Sequence, residues 1–162
     1  MSNVPFKPAG YATVSCYLIV ENSLEAMDFY AKAFGAEKSA VMPMPGGEGT
    51  MHAEMRIGDS TFMLSDANPA WGMRSAKEIG ASPVSIHVYV EDADAVFERA
   101  VAAGCEVKFP VSDAFWGDRY GKVVDPFGYE WGIATHKEDL SEEEITRRGA
   151  EWMAKFAEEG GC

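Results

Sequence analysis

The sequence predicts an α+β fold built from two βαβββ modules, each a half-open, curled mixed sheet beside a cavity, followed by a C-terminal helix. The first supporting observation is a repeated line: "VSCYLIVEN" at 14–22 returns as "VSIHVYVED" at 84–92. In both, strand-like apolar alternation runs into a residue able to cap a helix. The second is a fixed offset. Ser15 falls on Ser85 and Glu21 on Glu91 at 70 residues, then Gly35 on Gly104 and Met63 on Gly132 at 69, which marks an internal repeat. The third is that each copy continues as helix, glycine stop and three further strands. One such module cannot bury both faces of its sheet, so the two must pair, within the chain or across a dimer.

Taken in order, module 1 occupies about residues 12–66. After a leader with Pro5, Pro8 and Gly10, residues 13–20 form the first strand. A helix follows, capped by Asn22 or Ser23, with Leu24, Met27, Tyr30, Ala31 and Phe34 at helical spacing and Gly35 as its stop. Residues 38–44 give a second strand and "PGGEG" a loop; "TMHAEMRIGDSTFMLSDA" gives two strands around a tight Gly58-Asp59 turn. Residues 67–82 form a linker. Module 2, about 83–136, repeats the plan, with a strand interrupted by Pro110 and a hairpin around "DPFG". A helix over about 141–159 follows, with Ser141 and Glu144 as a capping box and Ile145, Trp152, Met153 and Phe156 as an apolar stripe.

Composition narrows the function. Fourteen basic residues against 26 acidic leave a net charge of −12, which argues against nucleic acid as a partner. The charge suits solubility, and is compatible with a cationic ligand. Cys16, Cys105 and Cys162 are odd in number and lack a CxxC, so a reducing, cytoplasmic setting is expected, with Cys16 as a small core residue. No apolar run is long enough for a signal peptide or a membrane span, so no membrane partner is expected.

With the repeat in place, the chain resembles the vicinal oxygen chelate superfamily, which includes glyoxalase I, extradiol dioxygenases, fosfomycin-resistance transferases and bleomycin-binding proteins. The residues that carry the resemblance are "SLEAMDFYAKAFGAE", "HAEMRIGDSTFMLSDA", "SPVSIHVYVEDADAVFERAVAAG" and "WGDRYGKVVDPFGYEWGIATHKEDL", within about residues 10–140. The "HAEMRIGD" and "GDR…DPFG…WGIATH" phrasing is most similar to the PhnB-like branch. The resemblance implies paired modules enclosing a ligand cavity. In metal-dependent members it also implies one ligand on the first and last strand of each module. Here those positions become Ser15, Met63, Ser85 and Gly132, none of them a good donor for a divalent cation.

Strand periodicity then suggests what faces the cavity. The Gly58-Asp59 turn would pair Glu54 with Met63, His52 with Ser65 and Arg56 with Thr61; a turn closed by "DPFG" would pair Gly121 with Gly132, Val123 with Glu130 and Arg119 with Ala134. The inferred inner face is a polar cup of Tyr17, His52, Glu54, Arg56, Ser65, Ser85, His87, Tyr89, Arg119 and Glu130. Trp71 in the linker and Trp116 before "GDR" are candidates for a lid or stacking surface, with buried packing as the alternative. Arg119 is a candidate anchor for a carboxylate or phosphate, and His136 is expected on the solvated surface.

Two main readings of function remain open, beside a third in which the chain is an interaction subunit whose tail helix docks on a partner. In one, a homodimer binds a small polar or aromatic molecule in a metal-free cavity, with no cofactor. In the other, a lyase-, isomerase- or dioxygenase-type enzyme uses His87 and Glu54 for acid–base chemistry, or zinc or another divalent metal in a displaced site where His52 and His87 meet.

Overall fold

The computed structural model describes residues 4–158. Module 1 runs β1 (Tyr17–Val20), α1 (Ser23–Phe34), β2 (Glu37–Pro43), β3 (Thr50–Ile57) and β4 (Ser60–Asp66). Module 2 runs β5 (Ser85–Tyr89), α3 (Ala93–Ala103), β6 (Glu106–Asp113), β7 (Asp118–Val124) and β8 (Glu130–His136). Between them lie a 3-10 turn (Pro69–Trp71) and the one-turn helix α2 (Ala76–Ile79); α4 (Glu142–Glu158) closes the described chain.

Each module forms a four-stranded sheet, ordered β1-β4-β3-β2 and β5-β8-β7-β6. The helical crossover makes β1 parallel to β4 and β5 parallel to β8, while the hairpins make the other pairs antiparallel. Neither sheet closes into a barrel, and both β1 and β5 are edges.

Local chemistry sets the element ends. Asn22 caps α1 by accepting from the Glu25 amide at 3.1 Å, and Asp92 caps α3 by accepting from Ala95 at 2.9 Å. Gly35 ends α1 in the left-handed region, at φ 70°. Gly58, also at positive φ, forms the two-residue turn, and Glu54 pairs with Met63 and Arg56 with Thr61 as expected. Pro110 does not break β6; it sits in an edge strand whose register slips between Val107 and Phe109 and again before Ser112. In α1, Leu24 is exposed, and Ala26 and Ala33 join Met27, Tyr30 and Phe34 in the core.

The two modules share that core. α1 packs on α3, Phe34 stacks on Trp131 of β8 at 4.2 Å between ring centroids, and Tyr30 touches Phe127 and Trp131. Helix-facing sides of both sheets therefore point inward, and the opposite faces turn away from the core. Tyr129 also spans the modules. Its hydroxyl accepts from the Ile19 amide and donates to the Ile19 carbonyl, both at 2.9 Å, so module 2 seals part of the free edge of β1.

Asp125 of "DPFG" anchors this arrangement. Its buried carboxylate accepts from the Phe127 and Tyr129 amides, the Tyr30 hydroxyl and the Trp131 indole, at 2.8–2.9 Å. Burial pushes this carboxyl up, against the pull of those donors.

α4 departs from expectation in one respect. Ser141 accepts from the Glu144 amide, but the Glu144 carboxylate turns to Arg147 and Arg148 instead of back to the cap. Those two guanidiniums hold Glu144 down, to about 2. Trp152 stacks on Phe156 and meets Phe115, while Trp152, Met153 and Phe156 all stay exposed.

Candidate functional site

The exposed face of module 1 carries a hydrogen-bonded chain. Alternation along β1 and β3 puts Tyr17, His52 and Glu54 on the side away from α1, whereas Leu18, Val20, Ala53 and Met55 are buried. Glu54 accepts from the Tyr11 hydroxyl and sits 3.1 Å from His52 Nε2; His52 Nδ1 lies 3.1 Å from the Tyr17 hydroxyl. The Tyr11 bond, then the His52 bond, hold the Glu54 carboxyl below its ordinary value. Ser65 lies on β4 beside Ile19, with a buried hydroxyl that has no hydrogen-bond partner. Arg56 is drawn to the rim, where it donates to Glu37 of β2 and to the Gly58 carbonyl.

Module 2 presents an aromatic face. His87 lies parallel to Tyr120 (centroids 5.8 Å, 10° between planes) and against Tyr89 at 4.8 Å; Trp116 meets Tyr120 edge-on. Asp118, almost fully buried, accepts from Trp116 Nε1 at 2.8 Å and the Tyr89 hydroxyl at 3.2 Å, and lies 2.8 Å from His136 Nδ1. Glu130 is claimed by Lys108 and Lys122, and these bonds hold its carboxyl down. Ser85 donates weakly to the Glu130 carbonyl, at 3.4 Å.

A cleft of about 750 Å³ opens beside the free edge of β5. One wall is module 1, with Val14, Ser15 and Cys16 ahead of β1 and Ile57 and Phe62 from the β3–β4 hairpin. The other is β5 from Ile86 to Tyr89 and the Val90 that follows it, with Val96 of α3. Asp59, Glu91 and Asp92 give the lining an acidic excess over Arg99.

Several expectations need correction. The second hairpin is shifted by one residue: Gly132 pairs with Lys122 rather than Gly121, Glu130 with Val124, and Arg119 with Thr135. The cause is Asp125, whose amide bonds the Tyr129 carbonyl, so the turn takes in Tyr129 as well as "DPFG". Arg119 consequently leaves the cup and grips Asp94 of α3 with two bonds at 2.7 and 2.9 Å. Tyr120 and Lys122 take the exposed face instead. His52 and His87 lie in different sheets and separate contact clusters, and Glu54 meets His52, not His87. Trp71 is exposed on the linker turn. Cys16 is exposed rather than in the core, because β1 begins only at Tyr17, four residues later than expected, and leaves Cys16 outside the strand. His136 is half exposed yet tethered to both Asp118 and Asp139.

The inherited metal positions do not fit a metal. Ser15 lines the cleft, Met63 pairs with Tyr17, Ser85 touches a carbonyl, and Gly132 has no side chain. A Cβ at Gly132 would lie 2.9 Å from a Tyr120 ring carbon and 3.1 Å from His87 Nδ1, so those rings hold the space a ligand side chain would need. Among the described residues, no three His, Cys, Asp or Glu side chains converge as a metal site elsewhere.

Tyr11, Asp118, Tyr120 and Lys122 were missed by sequence reasoning. Tyr11 sits in a leader without periodicity. The others follow once Tyr129 is counted into the turn.

Paired βαβββ sheets with helices between them and exposed outer faces define a vicinal oxygen chelate fold. The chain belongs to the Glyoxalase/Bleomycin resistance protein/Dioxygenase superfamily, which residues 12–133 match. An uncharacterized protein of Mycobacterium bovis is 41% identical over 135 residues, 82% of this chain and 88% of its own. An Arabidopsis thaliana gene product of known structure is 31% identical, with a TM-score of 0.62 over 76% of this chain and 98% of its own. The fosfomycin resistance protein FosX of Listeria monocytogenes shares the fold at 18% identity, with a TM-score of 0.59 over 85% of this chain and 97% of its own.

Proposed function

We propose that the protein binds a small amphipathic molecule, with an apolar or aromatic body and a cationic group, in the cleft beside β5, without a metal. The cleft itself carries this reading. Its 750 Å³ lies within the range that accommodates a drug-sized ligand, and both repeated segments contribute to its walls, the first through residues 14–16 ahead of β1 and the second through β5. Ile57, Phe62, Ile86, Val88 and Val96 would take the body, while Asp59, Glu91 and Asp92 favour positive charge in a chain of net charge −12. Tyr89 and His87 offer ring faces and edges to an aromatic ligand. The half-open sheets favour a homodimer. The free thiols Cys16 and Cys105 suit the cytoplasm, and no described helix is long and apolar enough to cross a membrane.

A thermal-shift panel of aromatic cations, bleomycin among them, tests the binding. A hit should raise the melting temperature of the wild type and lose its effect in Val88→Asp. A broad panel without a hit removes the proposal. Metal analysis of untagged protein tests the metal-free state: stoichiometric zinc, nickel or iron that persists through purification overturns it.

A further inference from the structure

The chain Tyr11–Glu54–His52–Tyr17 does not line the cleft, and its order has a chemical direction. Glu54 is held low in pKa, so at neutral pH it is an anion that can only accept. Its partner, His52 Nε2, must therefore carry a proton. In neutral His52 this leaves Nδ1 with a lone pair, aimed at the Tyr17 hydroxyl 3.1 Å away. Tyr17 then donates its proton to His52, and both lone pairs on its oxygen are free for another partner. Glu54 fixes the tautomer of His52 and stabilises the positive charge it would gain, which is the logic of an acid–base relay. Tyr17 is 45% exposed on a face turned from the core, so a ligand can approach it.

We propose that module 1 carries a second site, in which Tyr17 exchanges a proton with a ligand that bears a weakly acidic O–H, or a C–H beside a carbonyl. The ligand X–H bond breaks and its proton goes to the Tyr17 oxygen. The Tyr17 proton passes to His52 Nδ1, and the electron pair stays on the ligand as an alkoxide or enolate. The imidazolium faces the Glu54 carboxylate, and reversal of both transfers restores the site. Tyr17 is the residue that touches the ligand; Glu54 is a positioning residue acting through His52. This site and the cleft have different residues, so each can fail without the other.

An arylsulfonyl fluoride reports the transfer without a known substrate. Labelling forms the Tyr O–S bond, breaks S–F and releases fluoride, with the phenolic proton passing to a base. Tyr89 is the internal comparator: it is more exposed, at 65%, but bonds a buried carboxylate rather than an imidazole, and its phenol pKa is raised by desolvation and the Asp118 charge. Peptide mass spectrometry should show Tyr17 labelled on the order of a hundredfold faster than Tyr89, the lower end of what a positioned base supplies. His52→Gln should erase that advantage, and Glu54→Gln should reduce it. An unchanged Tyr89 rate and far-UV spectrum confirm each variant's fold, with His52→Asn held in reserve. Tyr17 labelled no faster than Tyr89, or unaffected by loss of His52, overturns the proposal. So does nitrogen NMR of the wild type showing the neutral His52 proton on Nδ1.

Discussion

Replacing Asp125 tests the anchor that joins both modules. In Asp125→Ala, the Tyr30 hydroxyl, the Trp131 indole and the amides of Phe127 and Tyr129 lose their acceptor, all on residues of the buried core. A buried donor left unpaired costs about 1–3 kcal/mol. Water reaching the turn would relieve the two amides, while Tyr30 and Trp131 sit too deep for that. The desolvation cost of the carboxylate is recovered, since burial raises its pKa. The balance is a loss of about 4 kcal/mol, enough to be diagnostic. Asp125→Asn keeps an oxygen for the two amides and presents an NH₂ that the Tyr30 hydroxyl can accept by rotating. Trp131, donor only, loses its partner, so this variant should cost about 1–2 kcal/mol. Urea unfolding followed by tryptophan fluorescence gives both values. An alanine variant within about 1 kcal/mol of wild type would refute the network's role, and so would equal losses in the two variants.

Two further outcomes follow from specific contacts. Tyr129→Phe removes both bonds to Ile19, so its amide should exchange with solvent much faster than that of Leu64 in the core strand beside it, with about 1–3 kcal/mol lost from folding. The His136–Asp118 pair should show opposite pH limbs. Bonds to Asp118 and then Asp139 raise His136 above its ordinary 6.5, so its contribution is complete below that value and fades as pH rises through the raised one. For Asp118 burial pushes upward, but bonds from His136, Trp116 and Tyr89 win and lower it; its contribution holds above the ordinary 3.8 and fades as pH falls through the lowered value. Urea midpoints measured across pH should show both limbs, and His136→Gln should flatten the upper one.

The repeat made the fold legible because strand alternation, helix caps and the Gly58 turn are local signals that packing did not overturn. The first hairpin's register followed from one two-residue turn, and so did the placement of His52, Glu54 and Arg56 on a common face. The second failed by one residue because a side chain, Asp125, sets where pairing begins, and "DPFG" alone does not show that Tyr129 belongs to the turn. That single step moved Arg119 from the cup to Asp94 and brought Tyr120 beside His87. Where the modules sit was not legible at all. It depends on contacts such as Phe34–Trp131 and Tyr129–Ile19, which join residues far apart in sequence and leave no periodic trace.

The structure also shows what a metal ligand placed at the superfamily's ligand positions would meet. Ser85 is exposed, and a longer donor there would meet little resistance. Gly132 is different, since any Cβ begins in contact with Tyr120 and His87, which lie parallel to each other. Tyr120 is held in turn by Trp116, and Trp116 by the buried Asp118. A donor at this position would therefore have to displace a packed chain of side chains, at a cost of about 1–3 kcal/mol for overpacking alone. Module 1 has no such block, because Met63 is flexible and faces Tyr17. The two copies have thus diverged in kind. One face is filled by stacked rings, and the other keeps a directed chain of proton donors and acceptors that needs no metal to hold its geometry.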